Sequence, residues 1–340
     1  MHAHTSDPAP SRLSSLPLAQ GYAILALSIV FNGLRYNLDS AALKVRSGSA
    51  APMSTWMVVA VGSYAAAAAF FAVSWIWRRN AWSLGSLQQV SWESCRRATR
   101  EQGWLVLLAA LGGSSGGWFL TESNKLYGPE FTAFLGNLMP VLLILSGIGF
   151  GERLRRGELI AIGITVLGAF VFSYRHGRLN WAGIGLMVAG CVLMAMKKIL
   201  MKHATGVGHL PSVMTLSLLF MGTWAFLGGL LSGELQFGTP ASIGCSVAGG
   251  VSGAMIGMSL LYAGLNVVGL ARGAPIDSLR PLAVLGIGLA AGSRLPGSTQ
   301  LLGGAMVLFG SVALARMASG RAATAQGVPS TAVVVNSRIV

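Results

Sequence analysis

Apolar runs of similar length recur along this chain, at residues 18–36, 53–77, 104–122, 127–150, 157–174, 181–200, 211–233, 243–266, 271–291 and 299–316. About 20 residues of helix cross the hydrocarbon core of a bilayer, whereas a barrel strand needs about half that number, so runs of this length specify helices. Lipid offers no partner to a backbone N–H or C=O group, which leaves the internally bonded helix as the spanning form. The expected fold class is therefore an all-α integral membrane protein with ten transmembrane helices. Composition agrees. Hydrophobic residues make up 53% of the chain and charged residues 10%, against about 25% charged in an ordinary soluble domain.

A net charge of +14 would suit a nucleic-acid partner if it formed one basic face. Instead the cations cluster at the ends of apolar runs, as membrane orientation requires: Arg78 and Arg79; Arg96, Arg97 and Arg100; Arg153, Arg155 and Arg156; Lys197, Lys198 and Lys202. Ten segments put both termini on one side, and these clusters fall on that side. Lys44, Arg46, Lys125, Arg175, Arg178 and Arg294 fall on the other. The richer side is the cytoplasmic one by the positive-inside rule. Both termini are thus expected in the cytoplasm, in a bacterial-type inner membrane, with no nucleic-acid partner. The run from Leu18 has no strongly basic region before it, and the following "NGLRYNLDS" is not a small-residue cleavage site, so it reads as a spanning helix rather than a signal peptide.

A second regularity lies inside the first. At a shift of 141 residues, without a gap, Gly112, Gly116, Gly128, Leu138, Pro140, Gly151, Arg153, Leu154 and Gly163 fall on Gly253, Gly257, Gly269, Leu279, Pro281, Gly292, Arg294, Leu295 and Gly304. Five helices per repeat is an odd number, so the second copy enters the bilayer upside down. Its loop keeps Arg294 alone where the first has three arginines, because it faces the other compartment. The expected organisation is a cytoplasmic tail (1–17), a first five-helix repeat (18–174), a second inverted one (181–316) and a flexible cytoplasmic tail (317–340). Two half-proteins of opposite orientation exchange conformations readily, with a site where they meet, which is the logic of alternating access in secondary transport.

The stretch "KLYGPEFTAFLGNLMPVLLILSGIGFGERLRRGELIAIGITVLGAFVF", from Lys125, resembles the end of an EamA-type repeat of the drug/metabolite transporter superfamily, through Pro140, Gly151, Glu152, Arg153, Leu154, Gly163 and Gly168. In the second half Pro281, Gly292, Arg294, Leu295 and Gly304 match, while Ser293 stands where Glu is usual and Pro296 follows the Leu. The resemblance implies an integral transporter with a central cavity between the repeats. Its cargo would be a small polar metabolite, exported or exchanged: an amino acid, or alternatively a nucleotide sugar or phosphorylated compound. It also carries over Glu152 as a loop acid at a gate or helix end.

Substrate-binding candidates are polar groups that lipid would penalise. Asp277 and Arg280, three apart in one segment, read either as an internal ion pair or as a pair that opens for a zwitterionic or anionic cargo. Asn137 stands one position from the internal equivalent of Asp277, and Asn32 and Tyr262 complete the set. Pro140 and Pro281 are kink or gate candidates, each removing one helical hydrogen bond. Gly112 with Gly116, and Gly253 with Gly257, are four apart and read as close-packing faces, static or sliding. Trp118 reads as packing or as a stacking surface for an aromatic cargo. No metal spacing joins Cys95, Cys191 and Cys245 or the histidines. Neither a nucleophile with its base nor a phosphate loop stands out, which disfavours the alternative of a polytopic membrane enzyme. No cofactor is expected; proton and sodium remain open as the coupling ion.

Overall fold

The computed structural model describes residues 18–45, 51–79, 92–139, 141–142, 156–175, 178–207, 210–268, 276–293 and 295–326. The described chain is helical apart from one short antiparallel pairing, in which Tyr174–Arg175 meets Arg178–Leu179. Among the described residues, six helical stretches are long and apolar enough to cross a membrane: Thr55–Val73, Gln102–Tyr127, Arg156–Ser173, Trp181–Met201, Ser212–Leu231 and Pro240–Leu261. Large apolar side chains cover the outside, among them Leu231, Trp181, Phe309 and Ile160, while Ser28, Ser114, Thr132, Thr165 and Ser246 are buried. Water would penalise so much exposed apolar surface, and lipid does not. The protein is integral to a membrane.

Helix α1 (Leu18–Lys44) runs beyond the apolar segment that announces it. Arg35 and Asp39, four residues apart, form an ion pair of 3.3 Å along its face, which carries the helix through its polar stretch. Next come α2 (Thr55–Arg79) and α3 (Trp92–Tyr127). Gly128 ends α3 with φ of 97°, a conformation that glycine enters without a Cβ clash. Pro129 then opens α4 (Pro129–Gly136), at a helix start where its missing N–H costs nothing.

The remaining helices are α5 (Arg156–Ser173), α6 (Trp181–Val207), α7 (Leu210–Leu231), α8 (Pro240–Gly249), α9 (Met258–Val268), α10 (Arg280–Ala290) and α11 (Ser298–Gln326). A capping box between Thr239 and Ser242 starts α8. Between α8 and α9 the chain continues as a π-helical stretch, Gly250–Gly257, within one continuous rod. Such wide turns are rare and collect at functional sites. Here Gly250 lies directly on the backbone of Gly62 in α2, with no room for a Cβ.

Packing joins elements from opposite ends of the chain. Helix α1 lies on α8, the π-helical stretch, α9 and α10; α2 lies on α7; α3 lies on α6 and α7; α4 lies on α10; α5 lies on α11. Small residues permit the last contact: Gly168, Gly303 and Gly310 leave no space for a Cβ between α5 and α11. An aromatic core of Phe131, Phe134 and Phe172, packed with Met187 and Cys191, ties α4, α5 and α6 together.

Candidate functional site

A cavity of about 100 Å³ opens among α1, α3, α6, α7, the π-helical stretch and α10. One water needs roughly 10–15 Å³ by this kind of measure, so the space holds several waters or one small polar solute. Helix α1 contributes Asn32, Arg35, Tyr36 and Asp39, and α3 contributes Gly113, Gly117, Thr121 and Asn124. Lys197 enters from α6 and Arg280 from α10. Five methionines, Met194, Met201, Met214, Met221 and Met258, form much of the apolar wall, and their flexible thioethers adapt to shape. A smaller cavity of about 30 Å³ abuts the first through Tyr36, Leu120 and Arg280, and adds Asn137, Lys198, Asp277 and Ser278.

The backbone explains why polar groups converge there. Helix α4 ends at Gly136 with a turn at Asn137, and the chain turns again at Ser278 and Leu279 before α10. At the second turn the Leu282 N–H bonds the Leu279 carbonyl, so the Ser278 carbonyl lacks the helical donor four residues on. Asn137 Nδ2 donates to the Ser278 carbonyl at 2.8 Å, and the two residues are 141 apart, the spacing of the internal sequence matches. A freed backbone acceptor is thereby satisfied across the interface. Asn124 Nδ2 similarly reaches the Tyr36 carbonyl at 2.9 Å, fastening α3 to α1.

The ion pairs are compact. Arg280 donates to Asp277, Lys198 stands 4.0 Å from the same carboxylate, and Arg35 holds Asp39. Lys197 differs: its ammonium meets the Met221 sulfur at 2.9 Å and has no carboxylate partner among the described residues.

Of the residues singled out in the sequence, Asn32 and Arg280 line the larger cavity, and Asn137, Asp277 and Arg280 line the smaller. Asn32 is buried and bonds the Ser28 carbonyl of its own helix at 2.9 Å. Tyr262 belongs to α9, but its side chain lies outside the described residues, as do Pro140 and Glu152. Pro281 is buried at the start of α10 rather than inside a longer helix. Gly112 and Gly116 face α6, leaving the cavity wall to the adjacent Gly113 and Gly117. Gly253 and Gly257 face Arg35 and Asn32 of α1. Trp118 stacks on Trp56, with ring centroids 5.4 Å apart, and is no part of the cavity lining.

Sequence reasoning missed Asp39, Tyr36 and Lys197 as site residues. The i, i+4 spacing of Arg35 and Asp39 was the available signal for one of them. Lys197 and Lys198 look like loop cations because they follow an apolar run, yet α6 continues to Val207 and carries both toward the cavities.

A polytopic helical protein with a polar cavity enclosed by helices from both ends of the chain is transporter-like in architecture. Residues 40–174, which include the stretch that carries the stronger resemblance, match the model of the EamA-like transporter family. No curated protein matches the chain. A solved crystal structure of a protein is similar in fold, with a TM-score of 0.57 and 17% identity over 89% of this chain and 99% of that one. At that identity the likeness concerns the fold alone.

Proposed function

We propose that the protein is a secondary-active transporter that exports or exchanges a small polar metabolite by alternating access. In this reading ten transmembrane helices form two inverted five-helix repeats, with both termini in the cytoplasm and the cargo held in the cavity between them. Coupling is to a proton or sodium gradient, without a bound cofactor. The observation that carries the reading is the exchange of contacts between the halves. Helix α3 lies on α6 while the π-helical stretch lies on α1, and α5 lies on α11. An isologous pairing of two copies gives this pattern, in which each element meets the counterpart of its own counterpart's partner. The Asn137 bond to Ser278 supports it, since it joins two positions that correspond under the 141-residue shift.

Counterflow in liposomes containing the full chain, across a panel of amino acids, organic acids, sugar phosphates and nucleotide sugars, tests the function. The expected result is saturable flux of at least one solute, altered by a proton or sodium gradient. Absence of flux across the panel from folded protein would overturn it. Orientation has its own test: a cysteine replacing Ser298, in a background freed of native thiols, is expected to react with an impermeant reagent from outside intact cells. Reaction from the cytoplasm alone would reject the arrangement.

A further inference from the structure

We infer that the cargo is a small organic anion, whose carboxylate or phosphate oxygens are read by the ammonium of Lys197 and the Nε–H of Arg280. The inference rests on the transport reading for the word cargo, but its binding chemistry stands on the cavity. Arg35, Lys197, Lys198 and Arg280 surround the two joined spaces, against Asp39 and Asp277. Cations therefore exceed carboxylates. Both carboxylates are engaged: Asp39 by Arg35, and Asp277 by Arg280 and Lys198. Lys197 is left with the Met221 sulfur, a weak acceptor for one of its three N–H groups.

Arg280 supplies the second, independent observation. One of its terminal nitrogens serves Asp277, while its Nε is buried with no hydrogen-bond partner among the described residues. A buried cationic donor left unmet is costly. Two such donors on the wall of one cavity are a deficit that an oxyanion fills with charge-assisted hydrogen bonds. A zwitterion does less well, because its ammonium finds no unpaired acid among the described lining residues, and a net cation meets a wall on which positive groups outnumber carboxylates. The limited volume favours a compact anion over a nucleotide-sized one.

The test uses the full chain in liposomes and, separately, in detergent, with glutarate, glycerol 3-phosphate, and the free amino acids alanine and lysine as probes. Counterflow and ligand-induced thermal shift are measured for the native protein, for Lys197→Gln and Lys197→Arg, and for Lys125→Gln as a control on the outer end of α3. We expect one or both anions to bind and move in preference to alanine and lysine, and glutarate against glycerol 3-phosphate separates carboxylate from phosphate recognition. Lys197→Gln is expected to weaken anion binding by roughly tenfold or more, the loss of a charged hydrogen bond, while Lys197→Arg retains most of it. Preference for alanine or lysine over both anions would overturn the inference and leave transport standing. Anion binding unchanged in folded Lys197→Gln, or binding of neither anion, would also overturn it. Lys197-dependent anion binding without flux of any probe would support it and count against the transport reading alone.

Discussion

Two helix crossings in this molecule use the same small-residue spacing and lead to opposite chemistry. On α3, Gly112 and Gly116 lie against α6, where a Cβ at either position would stand 3.0 Å from a methionine side-chain atom, the Cε of Met196 or the Cγ of Met194. In the π-helical stretch, Gly253 and Gly257 stand 141 residues later and lie against Arg35 and Asn32 of α1. The glycines set how closely the helices approach; the facing helix decides what the approach is used for. One crossing is lined with adaptable thioethers. The other presses an arginine, its aspartate partner and an asparagine toward a cavity. Matching glycine spacing thus leaves chemistry free to differ, and Asp277 and Arg280 repeat the lesson, since the residues 141 positions earlier are Gly136 and Met139.

The comparison breaks first at Arg35. Arg35→Met gives the second crossing the chemistry of the first and strands Asp39, whose side chain is 12% exposed. Removing one partner of such a pair costs about 3–5 kcal/mol, whereas removing both is tolerated far better. Thermal unfolding in detergent is expected to show a large loss for Arg35→Met and substantial recovery in Arg35→Met with Asp39→Leu. A single variant as stable as the native protein would mean that the polar crossing is held by packing alone.

A smaller effect separates the glycines. At Gly253 an added methyl meets the root of the Arg35 side chain, which its ion pair with Asp39 holds in place; at Gly112 it meets the mobile end of Met196 and, at 3.3 Å, the Leu193 carbonyl. Overpacking costs about 1–3 kcal/mol where neighbours cannot yield. Gly253→Ala is therefore expected to lower stability toward that range and Gly112→Ala to fall below it, measured side by side. Equal losses would show that the two crossings are equally rigid and that the thioethers give no slack.

The smallest effect is expected at Met196 itself. A volume-conserving Met196→Leu exchange costs less than about 1.5 kcal/mol where the wall is adaptable. A loss matching that of Gly253→Ala would make Met196 a specific knob, and the contrast between the crossings would shrink to one of charge.

Much of the frame was legible in local spacing. Six of the apolar runs marked helices that are long enough to span a membrane among the described residues, the glycines four apart marked close faces, and Asp277 with Arg280 marked an ion pair because three residues along a chain that turns helically bring two side chains together. Proline at Pro281 announced a break, although its use as the start of α10 depended on the turn at Ser278 and Leu279. The partner of Asn137 was not legible. It is a backbone carbonyl, and every residue has one. Lys197 was misplaced for a related reason: hydropathy treats a cation at the end of an apolar run identically whether it reaches headgroups or turns into a cavity.

By itself, the sequence determined that this chain is helical and membrane-embedded, because in lipid each segment must satisfy its own backbone hydrogen bonds and announces that obligation in its own length and apolarity. The tertiary structure alone decided which charges meet across distant parts of the chain. Compensation acts through space between groups a few ångströms apart, so Asp277, already paired with nearby Arg280, is approached by Lys198 of α6, while neighbouring Lys197 meets the Met221 sulfur and no carboxylate among the described residues. That inequality between adjacent lysines arises where α6 brings Lys198 to Asp277 and Lys197 to Met221 of α7, and it leaves an unpaired ammonium on the cavity wall among the described residues.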